Sequence, residues 1–242
     1  MLLLENFKDM VMKKYCLAII SILVLVMGII SCSNEEAKTQ NQMALRPTVP
    51  LQNGEVRIGT QIWMTKNLNV SRYRNGDPIP QVANPTQWAN LTSGAWCYYN
   101  NDSGNGIVYG KLYNWYAVVD PRGLAPQGWH IPARDEWSSL FVFLGGDNIA
   151  GAELKELGTL RWNTPNLGAT NSSRFSGLPG GMRNGGGSFS WIGNNGFWWT
   201  TFGSTGSIQD VAWYSYLSYN YLDAVLYSGP KNNGLSVRCI RN

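Results

Sequence analysis

Residues 128–137, with the sequence GWHIPARDEW, constrain the fold more than any other segment, because one proline joins an apolar, strand-like run to a helix start. Pro132 suits the first turn of a helix, where a missing N–H costs nothing. Asp135 and Glu136 then lie near the positive end of the helix dipole. The apolar residues that follow are spaced as one helical face, and a glycine pair predicts the helix end. These residues are Trp137, Leu140, Phe141 and Leu144, then Gly145 and Gly146.

Short apolar runs predict strands on both sides of this helix. Residues 55–58 and 61–64 are separated by Gly-Thr, the spacing of a tight hairpin turn. A second helix is predicted over residues 149–157, where Gly158 ends it. Later strands are predicted over residues 175–178, 189–191, 197–202, 211–217, 221–227 and 235–240. Early strands, two middle helices and late strands indicate an α+β fold with a mostly antiparallel sheet and long Gly/Asn-rich loops.

The N-terminal region predicts export and lipid anchoring. Residues 17–30 form an apolar run that follows Lys13 and Lys14. At about 1.5 Å per residue this run reaches about 21 Å, which is short of the ~30 Å hydrocarbon layer and fits a signal peptide. Residues 29–32, IISC, resemble a bacterial lipoprotein box, in which cleavage leaves Cys32 as the lipidated N-terminus. An uncleaved anchor or an ordinary secretory signal is the alternative.

These features divide the chain into a signal peptide (1–31), a flexible tether (32–54) and a body (55–242). Residues 33–36, SNEE, resemble the acidic tag that accompanies transport to the outer face of the outer membrane in lipoproteins of the Bacteroidetes. The plain alternative is that any linker is polar. We therefore expect a lipid-anchored protein of the outer membrane, exposed at the cell surface.

Composition limits the classes of core and partner. Charged residues make up 14% of the chain, against about 25% in typical domains. Eleven tryptophans and twelve tyrosines predict a core built from aromatic rings. The net charge is only +4 and no run of Lys or Arg stands out, so we do not expect a nucleic-acid partner.

Cys97 and Cys239 are the two cysteines of the body, since Cys16 leaves with the signal peptide and Cys32 takes the lipid. In an oxidising compartment such a pair often forms a disulfide. A bridge would close a loop of about 140 residues and stabilise the fold by roughly 4–5 kcal/mol. Both residues lie in apolar, strand-like contexts, so two buried free thiols are the alternative.

Few residues suggest catalysis. His130 is the only histidine, which excludes a zinc site built from several histidines and any arrangement that needs two imidazoles. Its position beside Pro132 favours a structural role. Asp135 and Glu136 are adjacent, and consecutive helix positions point about 100° apart, so complementing the helix dipole explains both. We expect no catalytic residue, no metal ligand and no cofactor.

Seven short motifs follow one another along the body. In chain order they are IGTQIWMTKNLN (58–69), WCYYN (96–100), YGKLYNW (109–115), GWHIP (128–132), GMRN (181–184), FWWT (197–200) and SVRC (236–239). Together they resemble the Fibrobacter succinogenes major paralogous domain, over nearly all of residues 55–242. Ala133 stands where that family usually has the serine or threonine that caps the helix, which weakens the cap. The resemblance implies a C-type lectin-like fold on a secreted or lipid-anchored bacterial protein, but no known activity.

Proteins of the fold implied by this resemblance have two kinds of metal site, one for calcium and one for copper. A lectin-type calcium site would need a Glu-Pro-Asn or Gln-Pro-Asp triplet and a Trp-Asn-Asp run. Neither triplet occurs, and the WNT run at 162–164 lacks the acid. Formylglycine-generating enzymes, which are more distant relatives, bind copper through two cysteines close in sequence, unlike Cys97 and Cys239. Both chemistries are disfavoured, whereas a structural calcium elsewhere stays open.

Residues 180–203 are the best candidate for a binding surface, because this segment is rich in glycine and asparagine with aromatic residues interleaved. Aromatic faces with nearby amides suit sugar rings or peptide chains. The residues expected to face solvent and contact a ligand are Arg183, Asn184, Trp191, Asn194 and Asn195. A scaffold role for the segment is the alternative, since glycines serve turns and alternating aromatic residues fill a core.

Three classes of function follow from these observations. The first is a non-catalytic recognition or adhesion module at the cell surface, for glycan or protein ligands. The second is a structural or assembly lipoprotein of the envelope. The third and least favoured is a carbohydrate-directed enzyme, which would need two carboxylates at glycosidase separation.

Overall fold

The structure is a computed structural model that describes residues 50–51, 54–203 and 210–242. These residues belong to one compact unit, residues 47–242. The predicted signal peptide, the lipidation site at Cys32 and most of the tether lie outside the described residues. No helix within the described part of the chain is long and apolar enough to cross a membrane.

The described residues form an α+β fold of antiparallel sheets and short helices. The strands are β1 (Pro50–Leu51), β2 (Glu55–Ile58), β3 (Gln61–Met64), β4 (Trp96–Cys97), β5 (Leu112–Tyr113), β6 (Trp129–His130), β7 (Gly180–Arg183), β8 (Phe189–Ile192), β9 (Asn195–Gly203), β10 (Val211–Ser218), β11 (Ala224–Pro230) and β12 (Ile240–Arg241). The helices are α1 (Pro85–Ala89), α2 (Ser103–Tyr109), α3 (Trp115–Val118), α4 (Arg134–Phe143) and α5 (Asp147–Leu154), with a 3₁₀ turn at Tyr99–Asn101.

The predicted opening hairpin is confirmed as β2 and β3, which pair in antiparallel register from Glu55 and Met64 to Ile58 and Gln61. Gly59 has a φ of +61° in the turn, the left-handed region that glycine adopts without strain. The hairpin belongs to a five-stranded sheet with the order β1-β2-β3-β12-β6. Strands from the two ends of the body therefore meet in one sheet.

The helix predicted after Pro132 is confirmed as α4, and its predicted apolar face is buried. The predicted position of Pro132 in the first helical turn is wrong. Pro132 precedes the N-cap residue Ala133, which is still extended at φ −72° and ψ 165°. The Pro132 carbonyl accepts a hydrogen bond from the Thr201 N–H at 3.0 Å, so the chain stays strand-like up to the cap. The second predicted helix is present but ends at Leu154.

Other predictions of the secondary structure need correction. Three more helices, α1 to α3, were not predicted, because they are four to seven residues long and too short for a helical period. Side chains cap each of them: Asn84, Asp102 and Asn114. The strand predicted over 175–178 is a loop, in which Ser176 has a φ of +54°. Of the strand predicted over 235–240, only Ile240 lies in a strand, while 234–236 form isolated bridges.

The late strands confirm the antiparallel prediction. Strands β9, β10 and β11 form a sheet in the order β11-β10-β9. Strand β3, helix α4, strand β9 and the loop before β7 each contribute a large aromatic side chain to one cluster, in which contacting rings have centroids 4.8–6.2 Å apart. Its members are Trp63, Trp137, Phe175 and Trp198. The core is therefore built from aromatic rings, as the composition predicts.

Candidate binding surface

Arg183 is the one predicted contact residue that the structure removes from the surface. Its side chain is fully buried, and its guanidinium donates hydrogen bonds to the carbonyls of Val82 (2.6 Å), Ala83 (2.8 Å) and Gly187 (3.0 Å). The guanidinium also lies 4.5 Å from the ring centroid of Trp88. The prediction of a solvent-side contact is wrong, because this arginine ties the β7–β8 hairpin to the segment before α1.

Asn184 and Asn195 are half-buried and serve the backbone. The Asn184 side chain accepts a hydrogen bond from the Ser188 N–H at 3.0 Å, which closes the β7–β8 turn. Asn195 begins β9 and pairs with Ser218 of β10. Asn184 therefore lies at the opposite end of the hairpin from Trp191. Asn195 lies closer in sequence, at the start of the strand that follows β8.

Trp191 is exposed over 54% of its surface. It has a φ of +72°, an outlier for a bulky side chain that costs about 1–3 kcal/mol. The cause lies opposite it, where β7 and β8 pair at Met182 with Ser190 and at Gly180 with Ile192 but skip the pair between. The skipped residue Gly181 has a φ of +62°, and a Cβ on it would lie 2.6 Å from the Ile192 nitrogen. Close approach of the two backbones therefore holds Trp191 in its strained, outward position.

A turn fixes the residues that follow Trp191. The Asn194 N–H donates to the Trp191 carbonyl at 3.0 Å, and the Gly193 N–H donates to the Pro179 carbonyl at 2.9 Å. The loop after α5 contacts the same turn: the Asn163 N–H donates to the Gly193 carbonyl at 2.8 Å. The Asn163 amide donates to the Asn194 side-chain oxygen at 2.6 Å. Hydrogen bonds within the turn, to Pro179 and to Asn163 therefore fix the turn that carries Trp191 and Asn194.

The loop between β10 and β11 extends this surface. The strand predicted over 221–227 begins only at Ala224, so residues 221–223 belong to this loop. The Tyr219 N–H donates to the Asn194 carbonyl at 2.8 Å, and the Leu167 N–H donates to the Tyr219 carbonyl at 2.7 Å. Three side chains on these loops are exposed apolar or aromatic groups: Leu167, Tyr221 and Leu222. We call the surface formed by residues 191–194, 163–167 and 219–222 the Trp191 surface.

Lys155 joins the loops of the Trp191 surface from within. Its side chain is fully buried, and its ammonium donates to the carbonyls of Leu167 (2.9 Å), Ser218 (2.9 Å) and Tyr221 (2.6 Å). Burial lowers the pKa of Lys155 to about 8, and the nearby Asp223 opposes this shift. Lys155 is therefore mostly protonated at neutral pH, and its ammonium has one N–H to donate to each of the three carbonyls.

His130 lies in the edge strand β6 of the five-stranded sheet, and both nitrogens of its ring contact side chains. Its Nδ1 lies 2.7 Å from the Asn242 side-chain oxygen, and its Nε2 lies 2.8 Å from the Glu136 carboxylate. The other Glu136 oxygen accepts from the Ala133 N–H at 2.8 Å. His130 thus links the C-terminus to the start of α4. In the part of the chain that the structure describes, no group of three or more His, Cys, Asp or Glu side chains could hold a metal ion.

Both cysteines of the body are buried free thiols in this structure. Cys97 lies in a cluster with Val82 and Trp88, whereas Cys239 lies in a different cluster with Tyr113. Burial raises the pKa of each thiol to about 12. Of the two alternatives that the sequence left open, the structure contains the pair of free thiols.

The comparison with protein families covers this architecture from β2 to β12. Residues 56–241 match the Fibrobacter succinogenes major domain. No curated protein and no solved structure matches the chain. The family match begins in β2 and ends in β12, so it includes every loop of the Trp191 surface. The chain belongs to the Fibrobacter succinogenes major domain family.

Proposed function

We propose that this protein is a lipid-anchored protein of the outer membrane whose family domain is a non-catalytic recognition module. The ligand class that the surface fits best is a glycan, bound at the Trp191 surface. The apolar run over residues 17–30 and the following Cys32 support the anchor. The α+β architecture with long, fixed loops supports a C-type lectin-like scaffold, in which loops carry the binding residues.

The single observation that carries the proposal is Trp191. A tryptophan in water exposes a large apolar face, and this one is kept there by a backbone conformation that costs free energy. Strain of this kind is typical of functional sites. A flat indole with the amides of Asn163 and Asn194 beside it suits a sugar ring, which has an apolar face and a rim of hydroxyls.

The test is a glycan array on the purified full-length chain and on Trp191→Ala, with and without calcium. We expect Trp191→Ala to weaken binding at least about tenfold, which corresponds to about 1.4 kcal/mol. Trp191→Phe should retain part of the affinity because it keeps a flat ring.

Tyr227→Ala is the matched control, because Tyr227 is 60% exposed on β11, pairs with Tyr214 of β10 and is not one of the residues that form the Trp191 surface. We expect this variant to bind like wild type and to lose a similar amount of thermal stability as Trp191→Ala. Equal glycan binding by all variants would contradict the proposal. A chain that binds no glycan but co-purifies with an envelope protein would favour the structural or assembly role instead.

A further inference from the structure

A concave region next to the Trp191 surface has the chemistry of a second binding site. This region, the Lys66 cleft, has a volume of about 610 Å³ and lies among β3, α2 and the loop after α5. Its lining includes Lys66, Asn69, Ile107, Glu156, Arg161 and Ser176. A neighbouring cavity of about 570 Å³ shares Lys66 and Asn69 with the cleft and continues to Trp129.

Among the described residues that line the two cavities, Lys66 is the cation without a carboxylate partner. Glu156 is paired with Arg161 in the cleft, and Glu55 is paired with Arg241 in the neighbouring cavity. Lys66 is exposed and forms no hydrogen bond or ion pair with any residue in the described ranges. Its ammonium is therefore available to an anion from solvent.

Two further cations lie directly behind the lining. The Lys111 ammonium is almost fully buried and donates to the Asn69 carbonyl (3.1 Å) and side-chain oxygen (2.7 Å). The fully buried Arg238 donates to the Asn67 side-chain oxygen through Nε (3.1 Å) and Nη2 (2.8 Å). Both cations are solvated by amide and carbonyl oxygens and not by carboxylates, so their charge adds to the positive potential of the cleft.

The remaining lining suits a sugar better than a bare ion. The Ser176 hydroxyl accepts a hydrogen bond from the Asn171 amide at 2.9 Å, which leaves its own proton to donate. Ile107 is 86% exposed at the same cleft and offers an apolar face. We propose that the Lys66 cleft is a subsite for the carboxylate or sulfate group of an acidic saccharide.

This proposal rests on the proposed glycan-binding function and names the class of glycan. Two segments join the cleft to the Trp191 surface. Arg161 lines the cleft, and Asn163, two residues later, holds Asn194. Leu178 also lines the cleft, and the next carbonyl, that of Pro179, accepts from Gly193. The cleft and the Trp191 surface are therefore built on the same two segments.

The test measures binding of four probes to the full-length chain by calorimetry: trigalacturonate, its methyl ester, a sulfated trisaccharide and poly-glutamate. The variants are Lys66→Gln, Trp191→Ala and the control Arg72→Gln, an exposed cation outside both cavities. We expect Lys66→Gln to weaken binding of at least one acidic saccharide about tenfold and to leave the methyl ester unchanged. Raising NaCl to 0.5 M should weaken acid binding in wild type, because salt screens an exposed charge.

The results separate this proposal from the proposed function. Both proposals are supported if Trp191→Ala loses binding of the acidic saccharides and of the methyl ester, while Lys66→Gln loses binding of the acidic saccharides alone. If Trp191→Ala binds like wild type while Lys66→Gln still loses the acid, the Trp191 assignment fails and the cleft stands. The cleft assignment is overturned if neither acidic saccharide binds, if Lys66→Gln binds both normally, or if poly-glutamate is the only acidic probe that needs Lys66.

Discussion

Four cations are buried within the part of the chain that the structure describes, and their hydrogen-bond partners are carbonyl and amide oxygens. Lys111, Lys155, Arg183 and Arg238 are all at most 5% exposed. A buried charge is costly unless polar groups replace its lost hydration. Here the backbone carbonyls replace the lost hydration. Lys155 donates hydrogen bonds to three carbonyls, and Arg183 donates to three others. Each of these cations therefore organises the loop backbone around it.

Replacing Lys155 with methionine tests this at one residue. Methionine keeps much of the aliphatic stem, but it removes the donor from one buried carbonyl, that of Ser218, and from two partly buried ones, those of Leu167 and Tyr221. Unsatisfied buried groups cost about 1–3 kcal/mol each, part of which relaxation recovers, so we expect Lys155→Met to lower the free energy of unfolding by about 3 kcal/mol. Urea denaturation at pH 7 measures it.

The control is Lys66→Met, which removes an exposed lysine. This change should alter the free energy of unfolding by no more than about 0.5 kcal/mol. A loss below about 1 kcal/mol in Lys155→Met would show that the three carbonyls find other partners, and that the loops do not depend on the ammonium.

The candidate site was partly predictable at this scale. An exposed Trp191 beside Asn194 follows from an aromatic residue among glycines and asparagines, and the structure has that arrangement. The burial of Arg183 does not follow, because it depends on carbonyls at Val82 and Ala83, about 100 residues away in sequence. No local pattern encodes such a contact.

At the scale of elements, the start of α4 is incompletely capped. Glu136 accepts from the Ala133 N–H at 2.8 Å, which is one half of a capping box. The other half needs a side-chain oxygen at the N-cap, and alanine has none. The same Glu136 carboxylate contacts His130, so the helix start is held mainly by that one side chain.

Ala133→Thr and Ala133→Val form a matched pair, since threonine and valine have similar shape and only threonine has an acceptor. Threonine can accept from the Glu136 N–H and complete the capping box. We expect the threonine variant to be more stable than the valine variant by about 1 kcal/mol, which corresponds to roughly 2–4 °C in melting temperature. Calorimetric melting measures the difference, and equal stabilities would contradict this account of the cap.

The elements that the sequence predicted are those with a period. Strand β2 alternates polar and apolar residues before the Gly-Thr turn, β3 is a short apolar run after it, and α4 presents one apolar face. Helix α2 has the sequence SGNGIVY, which lacks such a face and begins because Asp102 caps the Gly104 N–H. The segment 175–178 looks apolar, but the left-handed φ at Arg174 and Ser176 breaks the strand. Loop conformations of this kind depend on distant partners.

Across the described residues as a whole, the core divides into three clusters, and the two cysteines of the body belong to different ones. Cys97 packs under α1, and Cys239 packs beneath the strands near Tyr113. Neither thiol has a disulfide partner in the described residues. The buried contacts that the structure shows in these ranges are aromatic packing and hydrogen bonds.

Thiol alkylation tests this organisation. Burial raises the pKa of both thiols to about 12 from a usual value of 9, so the unfolded chain releases these protons from about pH 9 while the folded chain retains them. Each thiol's contribution to the free energy of unfolding therefore falls as pH rises from about 9 to about 12.

Iodoacetamide at pH 8.5 should modify neither residue in the folded protein, because only an accessible thiolate reacts. In urea without reductant it should modify both, as read from the peptides that contain Cys97 and Cys239. Modification in urea only after reduction would instead prove a disulfide, and rapid modification in the folded state would show that the clusters open to solvent.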